Sequence, residues 1–279
     1  FKYMLGNLGD FDPAADAVRA DRLAGIDAWI LVRAETLAAR CAAAYHEYAF
    51  HKVYRAIYDF ATTDLSATYF DILKDRLYTT APASHARRGA QTALHRLNLA
   101  LVRLLAPILS FTCEEVWRHT KPRAADAAES IHMEYFPKPQ ELTAGLSPSQ
   151  RQDAADWDRL LDVRDTVLKA LDDSRERKII GSSLEAAVSL QAGGDLYELL
   201  AKHAADLPAW FIVSQVGLAR IQNPDRQGGA LQIRVDRARG DKCERCWKYT
   251  GDVGSNAEFP TVCAACAAVL PEFLGLSSV

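Results

Sequence analysis

Four cysteines near the C-terminus have types and spacing that suit chemistry. Cys243-x-x-Cys246 and Cys263-x-x-Cys266 are separated by sixteen residues. A C-x-x-C turn places two sulfurs on one side of an ion. Two such turns joined by a hairpin complete a tetrahedral thiolate shell at about 2.3 Å from Zn²⁺. The spacing therefore predicts one structural Zn²⁺ in a zinc ribbon, with a redox or disulfide role as the competing reading. Four sulfur ligands leave no open coordination position, so the metal would act as a staple and not as a Lewis acid. The tail offers little core of its own, and metal binding would supply most of its folding energy. The chain has six cysteines in all. Cys41 and Cys113 stand alone in helical patterns and read as core residues rather than nucleophiles. The clustering of the other four favours a reducing compartment over a disulfide framework.

The residues beside the first cysteine pair are the candidates for binding. Trp247 and Tyr249 follow Cys246, and Lys242, Arg245 and Lys248 surround them. Interleaved aromatic and basic side chains suit stacking on unpaired bases combined with phosphate contact. The competing reading packs Trp247 against the ribbon's hairpin or a neighbouring subdomain. No phosphate-cradling glycine loop, G-x-S-x-G elbow or H-E-x-x-H pair is present. The seven histidines show no ligand-like spacing. No catalytic constellation emerges.

The formal net charge is −3, which does not advertise a polyanion partner, but the distribution is uneven. No Asp or Glu occurs between Leu77 and Cys113, where Arg87, Arg88, Arg96 and Arg103 lie. From 76 to 123 there are eight basic residues against Glu114 and Glu115. This basic island, which includes Arg76, Arg87 and Arg88, is a candidate polyanion footprint. The alternative is a helix face whose acidic partners come from neighbouring elements. No apolar run approaches the ~18 residues of a membrane span, and the first residues do not form a secretory signal. The chain starts at Phe1 and not at an initiator Met, which suggests an excised piece of a longer protein.

The elements that must hold these residues are mainly helical. Ile26, Trp29, Ile30, Leu37, Cys41, Tyr45 and Tyr48 recur at helical spacing, and Val53, Tyr54, Ile57 and Tyr58 share the next stripe. A third helix is expected over 65–78. A long one over 86–105 carries Leu94, Leu97, Leu101 and Leu104 and is limited by Pro107. Thr112 with Glu115 reads as a capping box opening another. Together these form a bundle. The stretch 120–150 reads as a proline-rich connector with a strand-like 131–136. A helix follows over 149–177, ended by Gly181 in a left-handed cap. Strands are expected at 187–191, 210–216 and 231–235, with a helix at 195–205 opened by Asp195 and a turn at Gly228-Gly229. The expected organisation is thus a helical bundle with connector (1–142), a helix plus small α/β junction subdomain (143–238) and a zinc ribbon (239–279).

Several segments, in order, resemble one family. Phe1-Lys2-Tyr3-Met4-Leu5-Gly6-Asn7-Leu8-Gly9-Asp10-Phe11-Asp12-Pro13 is similar to the stretch that follows the catalytic domain of bacterial isoleucyl-tRNA synthetases. Tyr48-Ala49-Phe50-His51-Lys52-Val53-Tyr54, Asp64-Leu65-Ser66 and Lys74-Asp75-Arg76-Leu77-Tyr78 resemble its anticodon-binding bundle. So do Leu105-Ala106-Pro107-Ile108-Leu109-Ser110-Phe111-Thr112 and Glu114-Glu115-Val116-Trp117. Gly181-Ser182-Ser183-Leu184-Glu185-Ala186 resembles the junction after the bundle. Lys242-Cys243-Glu244-Arg245-Cys246-Trp247-Lys248-Tyr249-Thr250 resembles the terminal zinc module, which sets the isoleucyl enzymes apart from the valyl and leucyl enzymes that share the bundle. The His-Ile-Gly-His and Lys-Met-Ser-Lys-Ser signatures of the ATP site are absent, as is the editing domain. The resemblance therefore implies a cytoplasmic tRNA-binding part of an isoleucine–tRNA ligase that is inactive alone. Its partners would be the anticodon stem-loop of isoleucine tRNA, with Lys52, Arg55, Arg76, Arg87 and Arg88 as implied phosphate contacts, and the missing catalytic domain of the same polypeptide, with neither DNA nor membrane. It further implies that the parent enzyme activates isoleucine with ATP and transfers it to tRNA. A DNA-glycosylase-type zinc finger or a regulatory paralogue without ligase activity is the alternative.

Overall fold

The computed structural model describes residues 1–120, 128–221 and 231–274. Lys121 and Arg123 of the basic run, and the expected Gly228-Gly229 turn, lie outside the described residues. The chain forms two compact units, Phe1–Ala155 and Asp156–Val279.

The first unit is a helical bundle, as the stripes predict. It contains α1 (Lys2–Asn7), α2 (Gly25–His46), α3 (Phe50–Asp59), a π-helical stretch Phe60–Tyr69, α4 (Phe70–Tyr78), α5 (His85–Leu105), α6 (Ser110–His119) and the short α7 (Pro139–Leu142). Helix α2 packs against α3, α5 and α7. Ala28, Ala34, Ala38 and Ala44 are buried beside Trp29, Ile30 and Leu31, so small side chains let neighbours approach it from more than one side. On α5 the predicted stripe of Leu94, Leu97, Leu101 and Leu104 is buried. Ser84 caps this helix, its Oγ accepting from the Arg87 amide at 3.3 Å.

One polar network crosses the bundle interior. The Asp27 carboxylate is fully buried. It receives Arg76 Nη2 at 2.7 Å and Nη1 at 3.0 Å, and Tyr69 Oη at 2.8 Å. Arg76 also donates to Ala86 O at 2.7 Å, so one guanidinium pins α2, α4 and the start of α5. Burial, and then the Asp27 charge, push the Tyr69 hydroxyl well above the usual phenol range. It therefore stays a donor.

Four local expectations of the first unit change. Tyr48 lies past the end of α2 at φ 53° and is exposed. Tyr54 and Tyr58 are exposed while Val53 and Ile57 are buried; the i,i+4 pair that faces α2 takes the core, leaving its tyrosine neighbours about 100° around the helix. Helix α6 starts at Ser110, with Leu109 at its cap and no side-chain cap, so Thr112 and Glu115 are not its capping box. Residues 131–136 form no strand. Ile131–Met133 is a single 3₁₀ turn, held because Glu114 accepts from Ser130 Oγ and the Ile131 amide.

Helix α8 (Pro148–Glu176) carries residues of both units. In the second unit it buries Trp157, Leu160, Val163, Val167 and Leu171. Its left-handed terminator is Lys178 at φ 58°, because the Ile179 amide already closes on Ser174 O at 3.0 Å. Gly181 is not left-handed; its amide donates to Glu185 Oε2 at 2.9 Å. Three strands follow: β1 (Ala186–Ala192), β2 (Gln215–Arg220) and β3 (Leu231–Arg237), in the order β2-β1-β3. β1 is parallel to β2 and antiparallel to β3. The parallel pair needs a crossover, supplied by α9 (Gly194–Lys202) and α10 (Leu207–Phe211). Ala186, Val188, Leu190 and Ala192 form the buried face of β1. Helix α9 has Gly193 at its cap, and Asp195 sits in the first turn without capping it. The strand expected at 210–216 begins only at Gln215. Pro208, suited to the first turn of a helix, opens α10, and Ile212 ends it in a left-handed conformation.

Candidate zinc centre and nucleic-acid interface

The last part of the second unit is built around the four cysteines. Two-residue strands β4 (Asp241–Lys242) and β5 (Tyr249–Thr250) pair antiparallel on either side of the first knuckle. Inside it the Cys243 amide donates to Lys248 O and the Trp247 amide to Cys243 O, both at 2.9 Å. The second pair opens helix α11 (Ala264–Phe273), with Cys263 at its cap. The Glu244 amide reaches Thr261 O at 3.1 Å and the Cys263 amide reaches Cys243 Sγ at 3.3 Å, so the two halves are sewn together through the sulfurs. Gly240 enters this module at φ 95°; a Cβ there would lie 2.3 Å from Thr250 O, so only glycine fits.

The donor set fits zinc. All four Sγ atoms lie within 4.8 Å of one another, and Cys246 Sγ is 3.9 Å from Cys263 Sγ. A tetrahedron with Zn–S bonds of about 2.3 Å has edges of about 3.8 Å. The cysteines are free thiols, not disulfides. Burial raises the Cys243 thiol, but the backbone N–H groups of Cys246, Cys263 and Arg245 more than offset it, bringing it to about 6. Burial pushes the Cys246 and Cys263 thiols up. Four thiolates so close together require a cation between them. Apart from Val262 and Ala267, the buried residues of this small core are Cys243, Cys263 and Cys266. Its stability is therefore the stability of the zinc site.

The binding candidates around the first knuckle separate into distinct roles. Trp247 is 61% exposed. Its backbone is left-handed at φ 64°. Trp247 Nε1 donates to Glu244 O at 3.1 Å, fixing the ring plane, and Lys242 Nζ sits 5.4 Å from the ring centroid. Arg245 points the other way. Its guanidinium lies over the Phe273 ring at 4.8 Å, and Nη1 donates to Cys266 Sγ at 3.5 Å. Lys248 is half-buried. Tyr249 anchors the module to the sheet: its amide donates to Ser214 Oγ at 2.7 Å, and its carbonyl accepts from Gln215 Nε2 at 3.3 Å.

The bundle arginines are placed differently. Arg76 is held by Asp27. Arg87 and Arg88 both engage Asp10, and Arg88 also approaches Asp16 at 3.4 Å. Arg96 donates to Ala144 O at 3.0 Å and Arg103 to Glu141 at 3.2 Å. Acids and carbonyls from elsewhere in the bundle thus answer the basic run. Lys52 and Arg55 are surface residues paired with Glu47 and Asp59. No helix among the described residues is long and apolar enough to cross a membrane.

Residues 27–190 match the family described as the anticodon-binding domain of tRNA ligase, and 240–269 match a zinc finger found in FPG and IleRS. The chain is similar over 97% of its length to isoleucine–tRNA ligase of Carboxydothermus hydrogenoformans, at 43% identity. It is 44% identical to that of Symbiobacterium thermophilum over 96% of the chain, and 40% identical to that of Thermotoga maritima over 97%. In each case it spans 29% of the relative's length.

Proposed function

This chain belongs to the anticodon-binding domain family of tRNA ligases, and from that premise we propose that it is the tRNA-recognising part of an isoleucine–tRNA ligase. The parent enzyme would activate isoleucine with ATP and transfer it to its tRNA in the cytoplasm. The present chain would hold the anticodon arm so that the acceptor end reaches the catalytic domain. The observation that carries the reading is Trp247, an exposed aromatic on a zinc knuckle whose ring is fixed by its own N–H and flanked by Lys242.

The mechanism is recognition, not bond-making. Zinc, when bound, supplies the folding energy of the ribbon. Trp247 offers a flat face on which an unstacked loop base can lie, while Lys242 and Lys248 supply charge to its phosphates. Tyr249, through Ser214 and Gln215, fixes the knuckle to the sheet. Arg245 supports the cluster from the far side. Arg76, Arg87 and Arg88 serve the bundle's own integrity in this reading. Functionally we divide the chain into a bundle with connector (1–142), a junction (143–238) and a reading module (239–279).

The test is competition for the chain between isoleucine tRNA and the same tRNA with a changed anticodon, followed by fluorescence anisotropy over a salt series. The native anticodon competing better at every salt concentration supports base reading. Equal competition with a steep loss of binding in salt means that phosphates alone are sensed, and sinks the proposal.

A further inference from the structure

In the fold the arginines of the basic run from 76 to 103 are engaged internally. A further accessible group of positive charges lies between α2 and α3, outside that run. Between α2 and α3 runs an open groove of about 430 Å³, lined by Arg40, Glu47, His51, Lys52 and Arg55, with alanines at its floor. It is continuous at Arg40 with a second groove, where Arg33 meets Asp64 and Asp59 lies beside Arg55. Arg40 is exposed, and its side chain has no hydrogen-bond or ion-pair partner among the described residues. In the first groove three permanent cations face one carboxylate.

The ion pairs there do not cancel this charge. Lys52–Glu47 and Arg55–Asp59 join side chains more than half exposed, and exposed pairs contribute little, about 0–1 kcal/mol. Their cations can turn to a stronger acceptor at little cost. A phosphate diester is such an acceptor, and an arginine with free N–H donors is the side chain that holds it bidentately. Tyr54 and Tyr58 of α3 also stand exposed, as a tilted pair with centroids 5.9 Å apart.

We infer that the α2–α3 groove is a phosphate-contact site for the backbone of a bound RNA, with Arg40 as its principal residue and Lys52 and Arg55 as secondary contacts. This rests on the proposed RNA-binding function and adds a second surface to it. The groove orients the RNA without reading sequence, whereas the zinc knuckle reads bases. Arg40 carries little signal in the sequence, as a single basic residue in an alanine-rich helix. Its significance comes from what α3 places opposite.

The experiment uses the full chain with the anticodon stem-loop of isoleucine tRNA and a changed-anticodon version, by anisotropy from 50 to 200 mM salt. Each phosphate contact contributes about 0.7–0.9 to the log–log salt slope, so that fourfold rise in salt weakens binding about 2.6- to 3.5-fold per contact. Arg40→Ala is expected to shrink the salt-induced loss by that factor, weaken both stem-loops equally and leave thermal stability unchanged. Arg40→Lys should retain the slope. An unchanged slope for Arg40→Ala, or a changed ratio between the two stem-loops, overturns the groove assignment. Anticodon reading is judged separately, by that ratio in the unsubstituted chain.

Discussion

Replacing Trp247 in two ways separates stacking from folding. The ring is mostly solvent-exposed, and its N–H donates to the carbonyl of Glu244. Removing it exposes no core. The backbone at φ 64° costs a non-glycine residue roughly 1–2 kcal/mol, and glycine escapes that cost. Trp247→Gly and Trp247→Ala therefore delete the same platform, but only the first relieves the strain. If the ring stacks on a base, both lose about 1–3 kcal/mol of binding, which is roughly a 5- to 150-fold rise in Kd at about 1.4 kcal/mol per decade. In zinc-loaded protein, Trp247→Gly should melt at or above the parent temperature and Trp247→Ala at or below it. The assay pairs anisotropy on the anticodon stem-loop with thermal denaturation and a zinc count per chain. Full affinity in Trp247→Gly would refute the stacking argument. A lowered melting point with lost zinc in both variants would also refute it, by showing that the ring supports the module.

Other perturbations test the fold that holds the site. Asp27→Ala leaves Arg76 and Tyr69 without their buried acceptor and should cost about 3–5 kcal/mol in denaturant unfolding; Asp27→Ala with Arg76→Leu should cost less than the sum of the single changes, and additivity would deny the coupling. Gly240→Ala drives a Cβ into the Thr250 backbone and should lower zinc affinity while the bundle's helical circular dichroism stays intact. Burial and then Arg96 hold the His95 imidazole below its ordinary value of 6.5. The unfolded chain therefore binds the extra proton first. Stability should be full above about pH 6.5 and fall as pH drops below it. Urea midpoints between pH 7.5 and 5.5 check the sign, and His95→Gln should flatten that slope.

What the sequence disclosed depended on whether a signal was local. Cys243, Cys246, Cys263 and Cys266 announce their own geometry, because a short-range turn chemistry fixes both pairs. The leucine stripe of α5 did the same for the bundle. Tyr54 and Tyr58 misled because an aromatic at helical spacing is apolar by type but amphipathic in fact. It can stand at the rim with its hydroxyl in water. Gly181 misled because a helix ends where its last carbonyls find partners. The Ile179 amide found Ser174 O before the glycine was reached, leaving Lys178 to take the left-handed turn.

Charge was the least legible quantity, for a physical reason. A run without Asp or Glu from 77 to 113 says nothing about which acids the fold delivers across space. Asp10 arrives 77 residues away from Arg87, and Asp27 arrives 49 residues away from Arg76. A buried or half-buried guanidinium must be answered, so the densest basic stretch is the one the fold has most reason to neutralise. A sparse cation such as Arg40, on a face that the bundle does not need, can keep its charge for a partner. The same logic divides the zinc knuckle. Arg245 is turned inward to a cysteine sulfur, while Lys242 stays outside beside the ring of Trp247. Two basic residues of one motif are thus placed differently, one on a cysteine sulfur of the cluster and the other beside an exposed ring.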